Sequence, residues 1–396
     1  MDLTLTSEQQ LLVGAARGFL AGACPIEHVR AMERDSRGFS RHVLSEMGRL
    51  GWLGVALPER WGGSGQTFLE AVLLLEQMGR VLLPSPYLET AVVAAPLVLA
   101  LGSEDQRRRW LPSLATGERV ATLALVEPGW RAENGAIGVS ILSTAEGFRL
   151  RGTKALVPFA AHADLLLVAA RMENQSRPGV VAVDAGAAGV RFTRRVTLGG
   201  EPRYDVEFAD TPIAAEALLG GAAGTINAAA PAGVMDSAEA TAAVADGAIE
   251  TACARATVGS LAYMVGAAER ALELTVEHAK TRVQFGRPIG SFQAIAHRCV
   301  DMRSDIDALR LLVYQAAWAL AQKGPAGVAT LEVSAAKAYG NEALRRIFMH
   351  AHQVFGAIGF STEHDLHLFT RRAKAVELQW GSASTHRERV AVAMGL

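Results

Sequence analysis

The spacing of apolar residues changes twice along this chain, and few folds satisfy both changes. Up to about residue 118 apolar positions recur at three- and four-residue steps, as over Phe68 to Val81, which ends before Pro84 and Pro86. Ser7 with Gln10 reads as a capping box for the first helix. Between these segments Leu57 to Gly65 is turn chemistry, with glycines able to take positive φ. From about 119 the period is two: Phe148 and Leu150, Val190 and Phe192, and Tyr204, Val206 and Phe208 alternate with polar or charged residues. A run of glycine and alanine from Gly220 to Gly233 reads as a connector or irregular loop. Helical spacing then returns in Val258, Leu261, Val265, Ala268 and Leu272. Further helices are expected over 293–322, ending at Gly324 and Pro325, over 328–352 and over 362–379. The result is an α+β chain, mainly α. It has a helical domain over 1–118, a β domain of antiparallel character over 119–235 and a helical bundle over 236–396. Neither βαβ alternation nor a GxGxxG motif is present, which weighs against a Rossmann nucleotide site.

Composition narrows the function classes. A hydrophobic share of 50% with 20% charged residues suits a folded, soluble protein rather than a disordered one. A net charge of −1 supplies no field for nucleic acid, and the short run Arg107 to Arg109 reads as a solvated helix face. The three cysteines, Cys24, Cys253 and Cys299, are far apart and suggest a reducing, cytoplasmic setting. No signal peptide opens the chain, and the apolar run Ala91 to Leu101 contains Pro96 and is too short to span a bilayer. No metal site is expected. His350 and His352 are two apart on a helix, and His364 and His367 lack an obvious third ligand. A Gly-x-Ser-x-Gly hydrolase elbow is absent.

The most informative segment runs from Arg282 to Gln293 between two long helices. It holds a guanidinium able to pair bidentately with a pyrophosphate, Phe285 and Phe292 to cover flat rings, and Gly286 and Gly290 to admit close approach of backbone. On chemistry alone a nucleotide-binding loop and an ordinary basic helix hairpin stand about equal.

This segment resembles the flavin-binding signature Arg-x-Gln-Phe-Gly-x-Pro-Ile-x-x-Phe-Gln of the acyl-CoA dehydrogenase family. Three more landmarks follow the family's order. Val126 to Gly129 resembles its Thr-Glu-Pro-Gly turn, Gly152 to Lys154 its Gly-x-Lys, and Gln353 to Phe360 its Gln-x-x-Gly-Gly-x-Gly loop. The resemblance spans essentially the whole chain. It implies an N-terminal helical domain, a small middle β-barrel, a C-terminal four-helix bundle, and a tetramer with FAD between barrel and bundle. The implied reaction desaturates an acyl-CoA between its α and β carbons: a carboxylate takes the α proton, hydrogen-bond donors steady the enolate oxygen, and the β hydrogen leaves as hydride to the flavin. A flavoprotein electron acceptor is the implied partner.

Carried onto this chain, the resemblance assigns Arg282 to the FAD pyrophosphate across a subunit interface, Phe285 to the adenosine side, and Gln353, Gly356 and Gly359 to the rest of the dinucleotide path. Ser382 and Val126 fall beside the flavin, and Trp380, Gly381 and Tyr263 beside the substrate. The departures matter as much. Val126 replaces a threonine, and Leu156 and Pro158 stand where the family commonly has tryptophan and threonine, so two hydroxyl donors are missing and Pro158 offers no N–H. Both usual positions of the catalytic carboxylate are empty, one filled by Trp380 and the other, counted back from Phe285, by Ala256. Three explanations stay open: another carboxylate such as Glu250 or Glu377 acts; a paralogous partner in a hetero-oligomer brings the base, as the resemblance to actinobacterial two-component members implies; or the chain has a non-redox, acyl-CoA-binding or structural role. Another flavin oxidase of the same fold is a further alternative. Trp380 reads either as a pocket wall or as bundle packing, and Tyr263 either as a substrate donor or as core.

Overall fold

The structure, a computed structural model, describes residues 4–129, 137–145, 147–172, 178–220, 235–323 and 329–396. Six helices come first: α1 (Ser7–Ala23), α2 (Ile26–Arg34), α3 (Arg41–Arg49), α4 (Phe68–Arg80), α5 (Ala95–Leu101) and α6 (Glu104–Ala115). The cap of α1 lies one residue earlier than the sequence reading. Thr6 Oγ1 accepts from the Gln9 N–H at 3.2 Å, and Gln9 Oε1 accepts from the Thr6 N–H at 3.0 Å, while Ser7 is already helical. A second capping box, Thr67 with Glu70, starts α4. A π-helical turn, Leu88–Ala94, runs directly into α5.

The middle layer is one mixed sheet of eight strands, β1 (Ala121–Ala124), β2 (Ser140–Thr144), β3 (Gly147–Pro158), β4 (Leu165–Met172), β5 (Gly179–Asp184), β6 (Val190–Arg195), β7 (Arg203–Ile213) and β8 (Leu218–Leu219). Leu165 to Ala170 of β4 are all buried, which suits a central strand covered on both faces. Its two neighbours on one edge are parallel: β1 pairs with residues 165–168 and β2 with 171–172. The other pairings are antiparallel, in agreement with the sequence reading. The connector expected over 220–233 lies, except for Gly220, outside the described residues.

The chain then forms α7 (Met235–Thr281), a two-stranded hairpin of β9 (Val283–Gln284) and β10 (Arg287–Pro288), and α8 (Gln293–Lys323), α9 (Thr330–Phe355), α10 (Ala357–Phe360), α11 (Leu366–Glu377) and α12 (Ala383–Ala393). α7, α8 and α9 pack on one another, with α11 and α12 against them. The sequence reading missed α12, in which only His386 is buried, so no apolar stripe announces it. No helix among the described residues is long and apolar enough to cross a membrane.

α4 joins the bundle by direct backbone contact with α7. A Cβ built on Gly79 would lie 1.7 Å from Tyr263 O, and one on Gly266 would lie 1.8 Å from Glu76 O. Each glycine costs its helix about 1 kcal/mol of propensity against alanine, and the close crossing is what it permits. Charged side chains lock the same junction. Glu76 accepts from Tyr314 Oη at 2.7 Å and from Arg310 Nε at 3.1 Å, and Glu269 accepts from Arg303 Nη2 at 2.6 Å and Arg310 Nη2 at 2.8 Å. Burial alone would raise the Glu269 carboxyl, but the two guanidinium groups outweigh it and hold it at about 2.

Two outcomes follow. Gly266→Ala should lower the unfolding free energy by about 2 to 3 kcal/mol, through overpacking that the rigid backbone of α4 cannot relieve, read by urea denaturation. The Glu269 contribution is fully present above its ordinary value of 4.5 and is lost as pH falls towards 2. Glu269→Gln should therefore flatten the fall in stability across that window, and an unchanged acid profile would refute the assignment.

Candidate active-site cleft

A cleft of about 1270 Å³ opens between the sheet and the bundle, somewhat above the usual size of small-ligand sites and so roomy enough for a cofactor. The sheet side is built on a buried ion pair. Lys154 on β3 is fully buried and donates to Glu127 Oε1 at 2.6 Å and to Leu125 O at 3.1 Å. Glu127 also accepts from the Gly138 and Val139 N–H groups at 2.8 and 3.0 Å. Burial pushes its carboxyl up, yet Lys154 and these N–H groups prevail and leave it below its ordinary value. The pair thereby fixes the turn bearing Val126, which lines the cleft and whose C=O accepts from the Ala155 N–H at 2.7 Å. Next to it the β3–β7 register shifts between Lys154 and Val157, and Leu156 turns into the cleft at φ 54. Pro158 pairs with Arg203 in the ladder and does not line the cleft.

The bundle side is the turn from Trp380 to Ser382, all three residues lining the cleft. Trp380 has φ 62 and Gly381 φ 104; for a tryptophan this costs of order 1 to 2 kcal/mol, so neighbours must impose it. They do. His386, 2% exposed, donates from Nε2 to Trp380 O at 2.7 Å, and in its neutral form accepts from Ser334 Oγ at Nδ1. Burial pushes the His386 pKa down, consistent with that form. Asn341 Nδ2 donates to Gly381 O at 3.3 Å, and the buried Lys337 donates to Val376 O at 2.7 Å. Ser382 Oγ caps α12 by accepting from the Thr385 N–H at 3.1 Å. Trp380 both lines the cleft and packs against the core. Two buried polar atoms here, Trp380 Nε1 and Asn341 Oδ1, have no partner among the described residues. The sequence reading missed Ser334, Lys337, Asn341 and His386. The first three, spaced three and four apart on one face of the apolar helix α9, were the available signal.

α7 supplies the third wall through Asp246, Ile249, Glu250, Cys253, Ala254 and Thr257. Ala256 does not belong to it. It is fully buried and shares the face of Gly259, Tyr263 and Gly266 that meets α4 and the π-helical turn, so counting back from Phe285 reaches a core position rather than the cleft. The carboxylates that do line the cleft are mostly engaged. Glu342 pairs with Arg387, and Glu377 with Lys374 at 2.9 Å and Arg345 at 3.9 Å. Glu250 is exposed at the rim.

Arg282 and Phe285 stand outside this cleft. The Arg282 guanidinium makes no hydrogen bond or ion pair with the described residues, and Phe285, at φ 52, is 91% exposed at the hairpin tip. Phe292 meets Phe285 edge-on at 6.1 Å and lies under the Arg287 guanidinium at 4.1 Å. The hairpin leaves α7 just beyond His278, which stacks on Phe355 of α9 at 4.5 Å. Arg282 and Gln353 therefore emerge at the same end of the bundle. Gln353 and Gly356 line a separate pocket of about 400 Å³, which shares Arg345 and Glu377 with the cleft. Gly359 is buried beside Phe355 and His352. Tyr263 lies in a smaller inner pocket, where its hydroxyl meets the buried Arg372 and Leu83 O. Several histidines serve as stacking partners: His352 covers Phe360 at 4.4 Å, and His364 meets Phe355 at 4.4 Å.

A family model described as the acyl-CoA dehydrogenase C-terminal domain matches residues 246–395, and one for the N-terminal domain matches 6–118. The acyl-CoA dehydrogenase FadE27 of Mycobacterium tuberculosis is 32% identical over 98% of both chains. The chain belongs to the acyl-CoA dehydrogenase family. A chain of the ChsE4-ChsE5 complex from Mycobacterium tuberculosis superposes with TM-score 0.83 at 31% identity, covering 100% of this chain and 99% of its own. A chain of a variant of the Tcur3481-Tcur3483 steroid acyl-CoA dehydrogenase gives 0.82 at 29%, covering 99% of each. The acyl-CoA dehydrogenase layout of helices, sheet and helices is the one described above, and the chain is an FAD-dependent oxidoreductase of this type. Its residues suit that cofactor in two places. One is the cleft, with its unpartnered Trp380 Nε1 and Asn341 Oδ1; the other is the bundle end, with the Arg282 guanidinium and with Gly286 and Gly356 at positive φ and open space where a Cβ would stand.

Removing one member of the buried pair leaves the other charge uncompensated. Lys154→Met should cost about 3 to 5 kcal/mol by chemical denaturation, and adding Glu127→Gln should restore part of it because the amide oxygen still accepts from Gly138 and Val139. Simple additivity of the two substitutions would contradict the coupling.

Proposed function

We propose that this acyl-CoA dehydrogenase is one subunit of a two-component enzyme. In this reading its Arg282 hairpin holds the FAD whose ring lies in the cleft of a paralogous partner, and the partner supplies the carboxylate base for desaturation of an acyl-CoA. The observation that carries the reading is the division of this chain's own residues. Arg282 and Phe285 stand outside the chain's cleft, while the cleft holds Trp380 at one base position and the other, Ala256, is in the core.

In that arrangement the Arg282 guanidinium pairs with the two phosphates, a charge-assisted contact. Phe285 covers the adenosine side, and Gln353 and the bare backbone at Gly356 continue the path. When bound, FAD supplies the acceptor for the hydride leaving the β carbon. The chain's own cleft retains Val126, Gly381 and Ser382 towards a flavin edge and Trp380 towards an acyl group, with Tyr263 in the inner pocket behind it, but an indole cannot take an α proton at neutral pH. The resemblance over full length to chains of two complexes named for two components supports the same reading. A flavoprotein electron acceptor and a cytoplasmic setting complete it.

The test is co-expression with the partner paralogue. The complex should purify yellow and bleach anaerobically with acyl-CoA, whereas this chain alone should not bleach. Arg282→Ala in this chain should weaken FAD retention by the complex roughly 10- to 100-fold, the span expected for hydrogen bonds to a charged group. A lone chain that binds FAD and is bleached by substrate would overturn the reading, as would a complex that keeps its flavin after Arg282→Ala.

A further inference from the structure

Behind the cleft lies an inner pocket of about 50 Å³, bounded by the π-helical turn, α7 and α11. Arg203 and Gln379 line both cavities, so the pocket continues the cleft inward. Its walls are chiefly apolar, from Leu75, Met78, Leu83 and Val376. Yet three of its residues carry buried polar atoms with no partner among the described residues: Ser85 Oγ, Glu89 Oε2 and Arg372 Nε. Arg372 Nη1 is committed, donating to Leu82 O at 2.8 Å and to the Tyr263 hydroxyl. A buried polar atom without a partner is destabilising, so three around one cavity call for an occupant.

The chemistry of that occupant follows from what the three atoms offer. Burial, reinforced by the nearby Glu201, pushes the Glu89 carboxyl up to about 8, so at neutral pH it is a neutral acid with an O–H to donate. Arg372 Nε is a donor only, and Ser85 is both donor and acceptor. Three donors around a space of this size suit one oxygen atom and its carbon better than a methyl end. Glu89 also sits on a π-helical turn, a local geometry frequent at functional sites.

We propose that this inner pocket receives the oxygen-bearing end of an acyl group, a hydroxyl or a carbonyl, and so selects oxygenated acyl-CoA thioesters over plain hydrocarbon ones. The selection is a property of binding by this chain and is independent of where the proton and hydride are taken. A site built to hydrogen-bond an oxygen rejects the analogue lacking it, because its own groups are then left unpaired.

The test is calorimetric titration of the full-length chain with straight-chain acyl-CoAs from butyryl- to decanoyl-CoA and with their ω-hydroxy counterparts. At the length that reaches the pocket, the hydroxylated thioester should bind at least 10-fold more tightly than its parent. Glu89→Leu should bring that ratio close to one. Ser85→Ala should reduce the ratio in part, and serves if Glu89→Leu fails to fold by circular dichroism. Equal affinity across every pair would overturn the proposal and leave the cavity to ordered water. So would a preference that survives both substitutions, or the absence of binding by any of these thioesters. None of these results bears on whether Arg282 retains FAD, which is read from the flavin content of the complex.

Discussion

Two helices touch backbone to backbone at Gly79 and Gly266, and the rest of the molecule is arranged around that crossing. No side chain intervenes, so the separation of α4 and α7 is set by hard contact rather than by adjustable packing. Glu76 lies within the same turn as Gly79 and ties α8 to the junction through Arg310 and Tyr314. The opposite face of α7 is thereby fixed as one wall of the cleft. The inner pocket is the space left where Leu75, Met78 and Tyr263 diverge from the π-helical turn.

Against this rigid frame the cleft carries backbone strain at both edges. Leu156 on the sheet side and Trp380 on the bundle side each have positive φ, and each is fastened by side chains rather than by regular ladders. Leu156 donates its N–H to Asp205 and gives its carbonyl to Arg203, and Trp380 gives its carbonyl to His386. They are also two positions that the sequence resemblance singles out as departures. At both, partners hold a large apolar side chain in a conformation the backbone alone would not favour.

Much of the fold could be read from sequence because the evidence for it is local. Phe68 to Arg80 carries its own periodicity and a capping box, and β4 announces a central strand by an unbroken apolar run. The cap of α1 was missed by one residue because Thr6, Ser7, Gln9 and Gln10 offer two overlapping boxes, and only the backbone shows which hydroxyl lies outside the helix. α12 was missed because its anchor is one histidine bonded to another helix. Arg282 was singled out as a candidate because its motif lies in one continuous stretch. The clamp of Ser334, Lys337, Asn341 and His386 was not, since it exists only when α9 meets the turn after α11. Ala256 failed for the same reason: a count along the chain gives position, while the side of a helix that faces the ligand is decided by what packs on the other side.

The hairpin beyond α7 presents Val283 and Phe285 to water, with Phe285 almost wholly uncovered. A phenyl ring and an isopropyl group side by side on a protruding tip make a sticky knob. Left uncovered, the tip would make concentrated solutions of the chain prone to self-association.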